Sequence, residues 1–278
     1  MTTVIGVLHP GEMGAAVGAA ARLNGARVLW ASVGRGEATR ARAAAAGLED
    51  VGSVERLVAE SAMILSICPP AAAIDVGREV AALGFRGVYV DANAVAPATT
   101  VAVGDVVTGG GAEFVDGGII GPPPHRPGTT RLYVSGLGAS RVAARFTQGP
   151  LTAIALDNRI GAASALKMAY AGWNKGSQAL LLAIRALAAR EGVDEALVRE
   201  WALSMPDLAK RSEQAVAGNT KKAWRFVGEM REIASTFASV GLPEGFHEAA
   251  AQIFERMAHW KDVPTPPSLA EVQKALAR

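Results

Sequence analysis

Cysteine is nearly missing from this chain of 278 residues, where Cys68 stands alone. A single thiol excludes an internal disulfide and offers no cysteine cluster to a metal. Surplus charge is missing too. A formal net charge of +2 with no basic run leaves no broad footprint for nucleic acid or for an acidic membrane surface. No uninterrupted apolar run reaches membrane-spanning length. No basic stretch precedes the first apolar segment, so no signal peptide is expected. His247 and His259 lack metal-ligand spacing, and no metal is expected. Internal repeats, low-complexity segments and a long linker are absent. The profile is that of a cytoplasmic globular protein, 50% hydrophobic and long enough for two domains.

The first strand is residues 4–8, apolar and β-branched, as suits a strand buried on both faces. His9-Pro10-Gly11-Glu12-Met13-Gly14 follows, then a helix of small residues from Ala15. Strand, glycine turn and helix form the context of a dinucleotide fingerprint. Gly11 would let the backbone approach a pyrophosphate, Gly14 would let the helix pack close to the strand, and the helix N-terminus would present N–H groups to phosphate. His9 stands where the first glycine of the pattern is usual, and histidine tolerates unusual turn conformations better than most residues. Glycine turns also occur for packing alone, so these six candidate cofactor contacts weigh little in isolation.

The second strand, residues 26–32, does not end in the acid that reads an NAD ribose. It ends in Ser32-Val33-Gly34-Arg35, with Thr39 and Arg40 close behind. Hydroxyl and guanidinium groups suit a 2′-phosphate, so Ser32, Arg35 and Thr39 are read as cofactor contacts and NADPH is favoured over NADH. The competing reading, solvated surface arginines, is weaker for Arg35 than for Arg40. Alternation continues with a short strand at 48–51, a helix at 54–60, a strand at 62–67, a helix at 71–83 and a strand at 87–91. The strand ends Cys68-Pro69-Pro70 and Asn93 fall on the edge where ligands sit. For Cys68, a small buried thiol in a turn is the stronger explanation. Strands at 114–121, 130–136 and 151–156 complete an α/β domain with a doubly wound parallel sheet.

Residues 158–190 read as one long helix with Asp157-Asn158 capping its start. Lys167, Tyr170 and Asn174 fall on one of its faces. A lysine among Ala, Leu and Met either lays its stem on apolar surface and reaches water, or meets a cleft, partner or ligand. On this helix alone the first account is the better one. Helices at 194–203, 207–217, 222–240, 245–260 and 269–276, with no strand signal, give an all-α second domain. The division is 1–157 for the NADP-binding Rossmann domain and 158–278 for the helical one.

Taken in order, the glycine turn, the Pro-Pro strand end, Asp91-Ala92-Asn93, Val115-Asp116-Gly117-Gly118 and Lys167 on the long helix are specific. The order resembles the β-hydroxyacid dehydrogenase and 6-phosphogluconate dehydrogenase superfamily. His9 to Gly14, Trp30 to Arg35, and Lys222 to Met230 resemble its branch with a C-terminal domain of unknown function. The resemblance covers essentially the whole chain. It implies a homodimer through the helical domain and a cleft between domains where hydride passes to or from nicotinamide. It implies Lys167 as proton donor or acceptor, and Asn174, one turn beyond the usual asparagine, as its helper.

Three departures bear on the substrate. The serine usually offered to a substrate carboxylate is Ile120, the usual asparagine is Ala171, and a Lys-Asp pair of the C-terminal domain is Gly228-Glu229. An ordinary small 3-hydroxy acid is therefore not expected; a larger or less charged carbonyl, or an imine, is. Gly118, Ile119, Ile120, Gly121, Tyr170 and Trp224 are the candidate substrate contacts. The expected function is an NADPH-dependent oxidoreductase of a small or medium organic hydroxy or carbonyl compound. The alternatives are an imine reductase or reductive aminase, and a catalytically silent NADPH-binding sensor.

Overall fold

Eight strands of the N-terminal part form a single sheet in the computed structural model, which describes residues 2–277. The chain divides into two compact units, Met1–Met168 and Ala169–Arg278.

The first unit runs β1 (Val4–Val7), α1 (Glu12–Leu23), β2 (Arg27–Trp30), α2 (Glu37–Ala45), β3 (Glu49–Asp50), α3 (Val54–Glu60), β4 (Met63–Ser66), α4 (Ala73–Ala82) and β5 (Val88–Asp91). It continues with α5 (Pro97–Gly109), β6 (Glu113–Ile120), β7 (Thr130–Ser135), α6 (Ala139–Ala143), β8 (Leu151–Ala155) and the start of α7 (Ala162–Arg190). The sheet order is β3-β2-β1-β4-β5-β6-β7-β8. Successive residues feed opposite faces. Ile5, Val7, Val28, Leu65 and Val90 join one core, while Leu29, Ile64, Tyr89 and Phe114 join another. Cores on both faces are what a doubly wound sheet requires.

The sequence predicts a wholly parallel sheet, and the observed one departs from that at a single pairing. β7 pairs antiparallel with β6, and β8 then pairs parallel with β7. Residues 121–129 carry no helix, and so short a connection returns a strand antiparallel to its predecessor. The helix α5 has no counterpart in the sequence reading, because its Val and Thr residues favour strands. Pro97 at its first turn and buried Thr100, Val103, Gly104 and Val107 at helical spacing make it a helix.

The long helix begins at Ala162, four residues later than expected. Gly161 sits at φ +91°, which interrupts a right-handed helix. Asp157 does not cap it; its Oδ1 accepts from the Arg159 N–H at 2.9 Å. The cap comes from Asp116 on β6, whose Oδ2 accepts from the backbone N–H groups of Ala163 (2.9 Å) and Ser164 (3.1 Å).

The second unit holds the rest of α7 with α8 (Asp194–Ser204), α9 (Leu208–Asn219), α10 (Ala223–Ser239), α11 (Gly245–Met257) and α12 (Leu269–Leu276). Met230 and Ile233 of α10 and Phe254 and Met257 of α11 are fully buried. Gly172 and Gly176 let the His247 ring approach α7: a Cβ at these positions would lie 3.1 and 3.5 Å from its Nε2. Arg185 donates to both carboxylate oxygens of Asp194 and to Ser212. No helix among the described residues is long and apolar enough to cross a membrane.

Candidate active site

The parallel strands place their C-terminal ends side by side. Val7 is in register with Leu65, Ser66 with Asp91, and Asp91 with Asp116. The order reverses between β1 and β4, the switch point where open α/β sheets bind ligands. Strands about 4.8 Å apart put the end of β2 roughly 19 Å from β6, an edge suited to an elongated ligand.

At β1 the chain turns through His9 to Gly14 into α1. Gly11 precedes the helix with no side-chain cap, and a Cβ there would meet nothing within 4 Å. A Cβ on Gly14 would stand 2.3 Å from the His9 carbonyl oxygen, so close helix–strand contact demands glycine there. Burial, with the charge of Arg35 adding to it, holds His9 down to about 4, which keeps the imidazole neutral. His9 Nδ1 and Arg35 Nε are both buried without a hydrogen-bond partner.

Beyond β2, Ser32 is buried and Arg35 is half-buried. Arg40 has a different job from Arg35: its Nη2 donates to the Ser32 carbonyl at 2.8 Å and its Nε to the Arg35 carbonyl at 3.2 Å. It braces the loop that presents Arg35. Thr39 Oγ1 accepts from Arg42 at 3.1 Å. Asp50, at the end of β3, takes a hydrogen bond from Ser32 and sits in the field of Arg40.

At the ends of β4 and β5, Asn93 acts as a clamp. Its Oδ1 accepts from the Cys68 N–H at 2.5 Å, and its Nδ2 donates to Ser66 Oγ at 3.2 Å. Burial pushes the Cys68 thiol up to about 11, so it remains a thiol. Asp91 Oδ1 accepts from the Asn93 N–H at 3.0 Å, while its Oδ2 is buried without a partner. Burial raises Asp91 to about 7, against that hydrogen bond, and the charge of Asp116 adds to the rise.

On β6, Gly118, Ile119 and Ile120 are buried, and Gly121 follows at φ +123°. A Cβ on Gly118 would lie 2.6 Å from the Ala163 carbonyl oxygen and 3.0 Å from Lys167 Cβ. The glycine therefore brings the first turns of α7 onto the sheet, with the half-buried Lys167 beside β6. Sequence reasoning quoted Asp116 and missed its role. The available signal was an acid inside a buried strand, which must find donors.

Tyr170, Asn174 and Trp224 belong to the second unit. Tyr170 and Asn174 are exposed two turns or less beyond Lys167 on the same helix. Trp224 is exposed on α10, with Lys261 Nζ 4.4 Å from its ring centroid. Glu229 pairs with Lys175, whose Nζ also lies 4.5 Å from the Phe226 ring. Among the described residues no group of three His, Cys, Asp or Glu side chains could hold a metal.

Residues 188–257 match the family model described as a domain of unknown function, DUF1932. An uncharacterised 28.5 kDa protein of Methanothermus fervidus is 30% identical over 166 residues, 59% of this chain and 63% of that protein, so the match spans less than two thirds of its length. A conserved hypothetical protein from Sinorhizobium meliloti is 27% identical at TM-score 0.72, covering 100% of this chain and 96% of the other. The 3-hydroxyisobutyrate dehydrogenase of Mycobacterium tuberculosis, 18% identical, superposes at TM-score 0.74 with both chains fully covered. The chain is thus similar to DUF1932 over residues 188–257 and has the fold seen in 3-hydroxyisobutyrate dehydrogenase.

Proposed function

We propose that the protein is an NAD(P)-dependent oxidoreductase that transfers hydride between nicotinamide and a hydroxy or carbonyl carbon of a small or medium organic substrate, with NADPH favoured. The observation that carries this reading is Lys167 held against Gly118 on β6, at the same C-terminal edge of the sheet that carries the open glycine turn after β1. The residues fit a dinucleotide. Room stands open over Gly11, and His9 Nδ1 and Arg35 Nε are buried polar atoms awaiting partners. The N-terminus of α1 would hold the pyrophosphate and Arg35 the 2′-phosphate.

When bound, the nicotinamide supplies or takes the hydride. Lys167 offsets the negative charge that gathers on the substrate oxygen and gives or takes the proton. Asn174, two turns along the same face of α7, orients the substrate or the ammonium. Neutral His9 leaves the positive charge of the phosphate site to Arg35. Ile120 is buried and apolar where the resemblance calls for a serine, which favours substrates without a carboxylate to anchor. Relatives of the same fold include 3-hydroxyisobutyrate dehydrogenase, whose substrate class is the starting point of an assay panel.

A homodimer is part of the proposal. Leu166, Trp173, Leu180 and Leu187 recur every seven residues on α7 and all are exposed, with Tyr170 between them. Such a stripe is the seam of a helix that meets another helix.

Aldehydes, keto acids and cyclic imines are to be assayed with NADPH and NADH against the wild type, Lys167→Ala and Arg35→Ala. Lys167→Ala is expected to lose turnover while NADPH affinity stays within a few-fold; retained turnover refutes the role. Arg35→Ala is expected to weaken NADPH by about 10–100-fold, the worth of charge-assisted hydrogen bonds, and NADH little.

A further inference from the structure

Asp116 lies at the centre of a buried polar ring. Its Oδ2 accepts from Ser135 Oγ at 2.9 Å and from the N–H groups of Ala163 and Ser164; its Oδ1 accepts from Ser164 Oγ at 2.6 Å. Ser135 Oγ also accepts from the Ala163 N–H at 3.1 Å, and Thr100 Oγ1 lies 2.7 Å from Ser164 Oγ. Four elements meet here: β6 gives the carboxylate, α7 and β7 the donors, and α5 the outer hydroxyl. Every one of Asp116, Thr100, Ser135 and Ser164 is buried. A ring of this kind costs a good deal to desolvate, and one serine or asparagine at the helix start would cap α7 more cheaply.

Position explains the cost. Asp116 and Gly118 lie two residues apart on one face of β6. Asp116 ties down the first turn of α7, and Gly118 admits Lys167 three residues after Ser164. A helix N-terminus is electropositive and disfavours an ammonium that comes close to its first turn. A buried carboxylate at that terminus opposes this field. We propose that Asp116 is a positioning residue for Lys167, fixing where α7 starts and supplying the negative charge that offsets the helix terminus at the ammonium. This rests on the reading of Lys167 as the proton-transfer group. Asp91, in register with Asp116 on the adjacent β5, is a second carboxylate beside the ring, and the members that β7 and α5 give to it are the hydroxyls of Ser135 and Thr100.

The test is the pKa of the Lys167 ammonium in the cofactor-free protein. It is read by NMR after ¹³C reductive methylation of the lysines, the signal being assigned by its loss in Lys167→Arg. Asp116→Asn keeps the shape and removes the charge, and is expected to lower that pKa by about one unit, the low end for loss of a nearby opposite charge. Ser164→Ala removes a donor and leaves the carboxylate less neutralised, so a rise is expected. No movement in folded Asp116→Asn overturns the proposal. If Asp116→Asn does not fold, Ser164→Ala decides: a rise supports it and an unchanged value overturns it. The outcome is separable from the functional reading. Turnover retained by Lys167→Ala would remove the catalytic role and leave the shift measurable, whereas an unmoved pKa would remove the role of Asp116 and leave Lys167 catalytic.

Discussion

Gly118 on β6 and Lys167 on α7 are in contact through the space a side chain would fill: a Cβ on the glycine would lie 3.0 Å from the Cβ of the lysine. The second obstacle, the Ala163 carbonyl oxygen at 2.6 Å, belongs to helix backbone and cannot swing aside. Gly118→Ala should therefore push α7 outward. We expect a stability loss of about 1–3 kcal/mol, typical of overpacking, by urea denaturation. Turnover should fall with it, since a displacement near 1 Å at a reacting group costs on the order of 100-fold. Unchanged kcat in Gly118→Ala would show that this contact does not set the lysine.

Gly11 and Gly14 belong to one turn and should respond oppositely. A Cβ on Gly11 meets open space, whereas one on Gly14 meets the His9 carbonyl oxygen at 2.3 Å. Gly11→Val should leave the cofactor-free Tm within a few degrees and weaken NADPH binding at least tenfold, measured by fluorescence titration. Gly14→Ala should lower the Tm before any cofactor is added. Tight NADPH binding by Gly11→Val would remove the pyrophosphate from this turn.

The parts legible in sequence are those written as local pattern. The strand–helix alternation, the glycine turn and the lysine on an unbroken helix are of that kind, since periodicity and turn chemistry act over a few residues. The parts that escaped depend on contacts far apart in the chain. Asp157 is the local candidate for capping α7, and the acid that performs it is Asp116, 47 residues before Ala163. Helix α5 is β-branched and is held helical by its buried face against the rest of the sheet domain. Arg35 and Arg40 look alike in sequence, and only the hydrogen bonds of Arg40 to the loop carbonyls separate a brace from a candidate ligand.

Two buried groups give stability opposing slopes with pH. Asp91 titrates near 7 in the fold against 3.8 ordinarily. Between these values the unfolded chain has released a proton that the fold retains, so stability is full below about 3.8 and falls as pH rises toward 7. His9 titrates near 4 in the fold against 6.5 ordinarily. Its contribution is full above 6.5 and falls as pH drops toward 4. Each unit is worth about 1.4 kcal/mol, so between pH 4 and 6.5 the two nearly cancel. Asp91→Asn removes one slope, and its stability should rise across that window relative to the wild type. Urea midpoints at half-unit pH steps measure the difference; parallel curves would show that Asp91 does not carry its proton into the neutral range.

The exposed stripe on α7 makes a claim about assembly. Leu166, Trp173, Leu180 and Leu187 keep a seven-residue period within the 29-residue helix, and Trp173 is 73% exposed. Aromatic and leucine side chains left in water at that spacing gain by meeting the same face of a second copy, as a two-fold axis allows. Trp173→Glu and Leu180→Glu place charge in the seam without touching the core of either unit. The wild type is expected to run as a dimer at micromolar concentration by light scattering, and both variants as monomers with far-UV circular dichroism unchanged. If the wild type is monomeric, or if the charged variants keep the dimer, the contact lies elsewhere and α7 is not its seam.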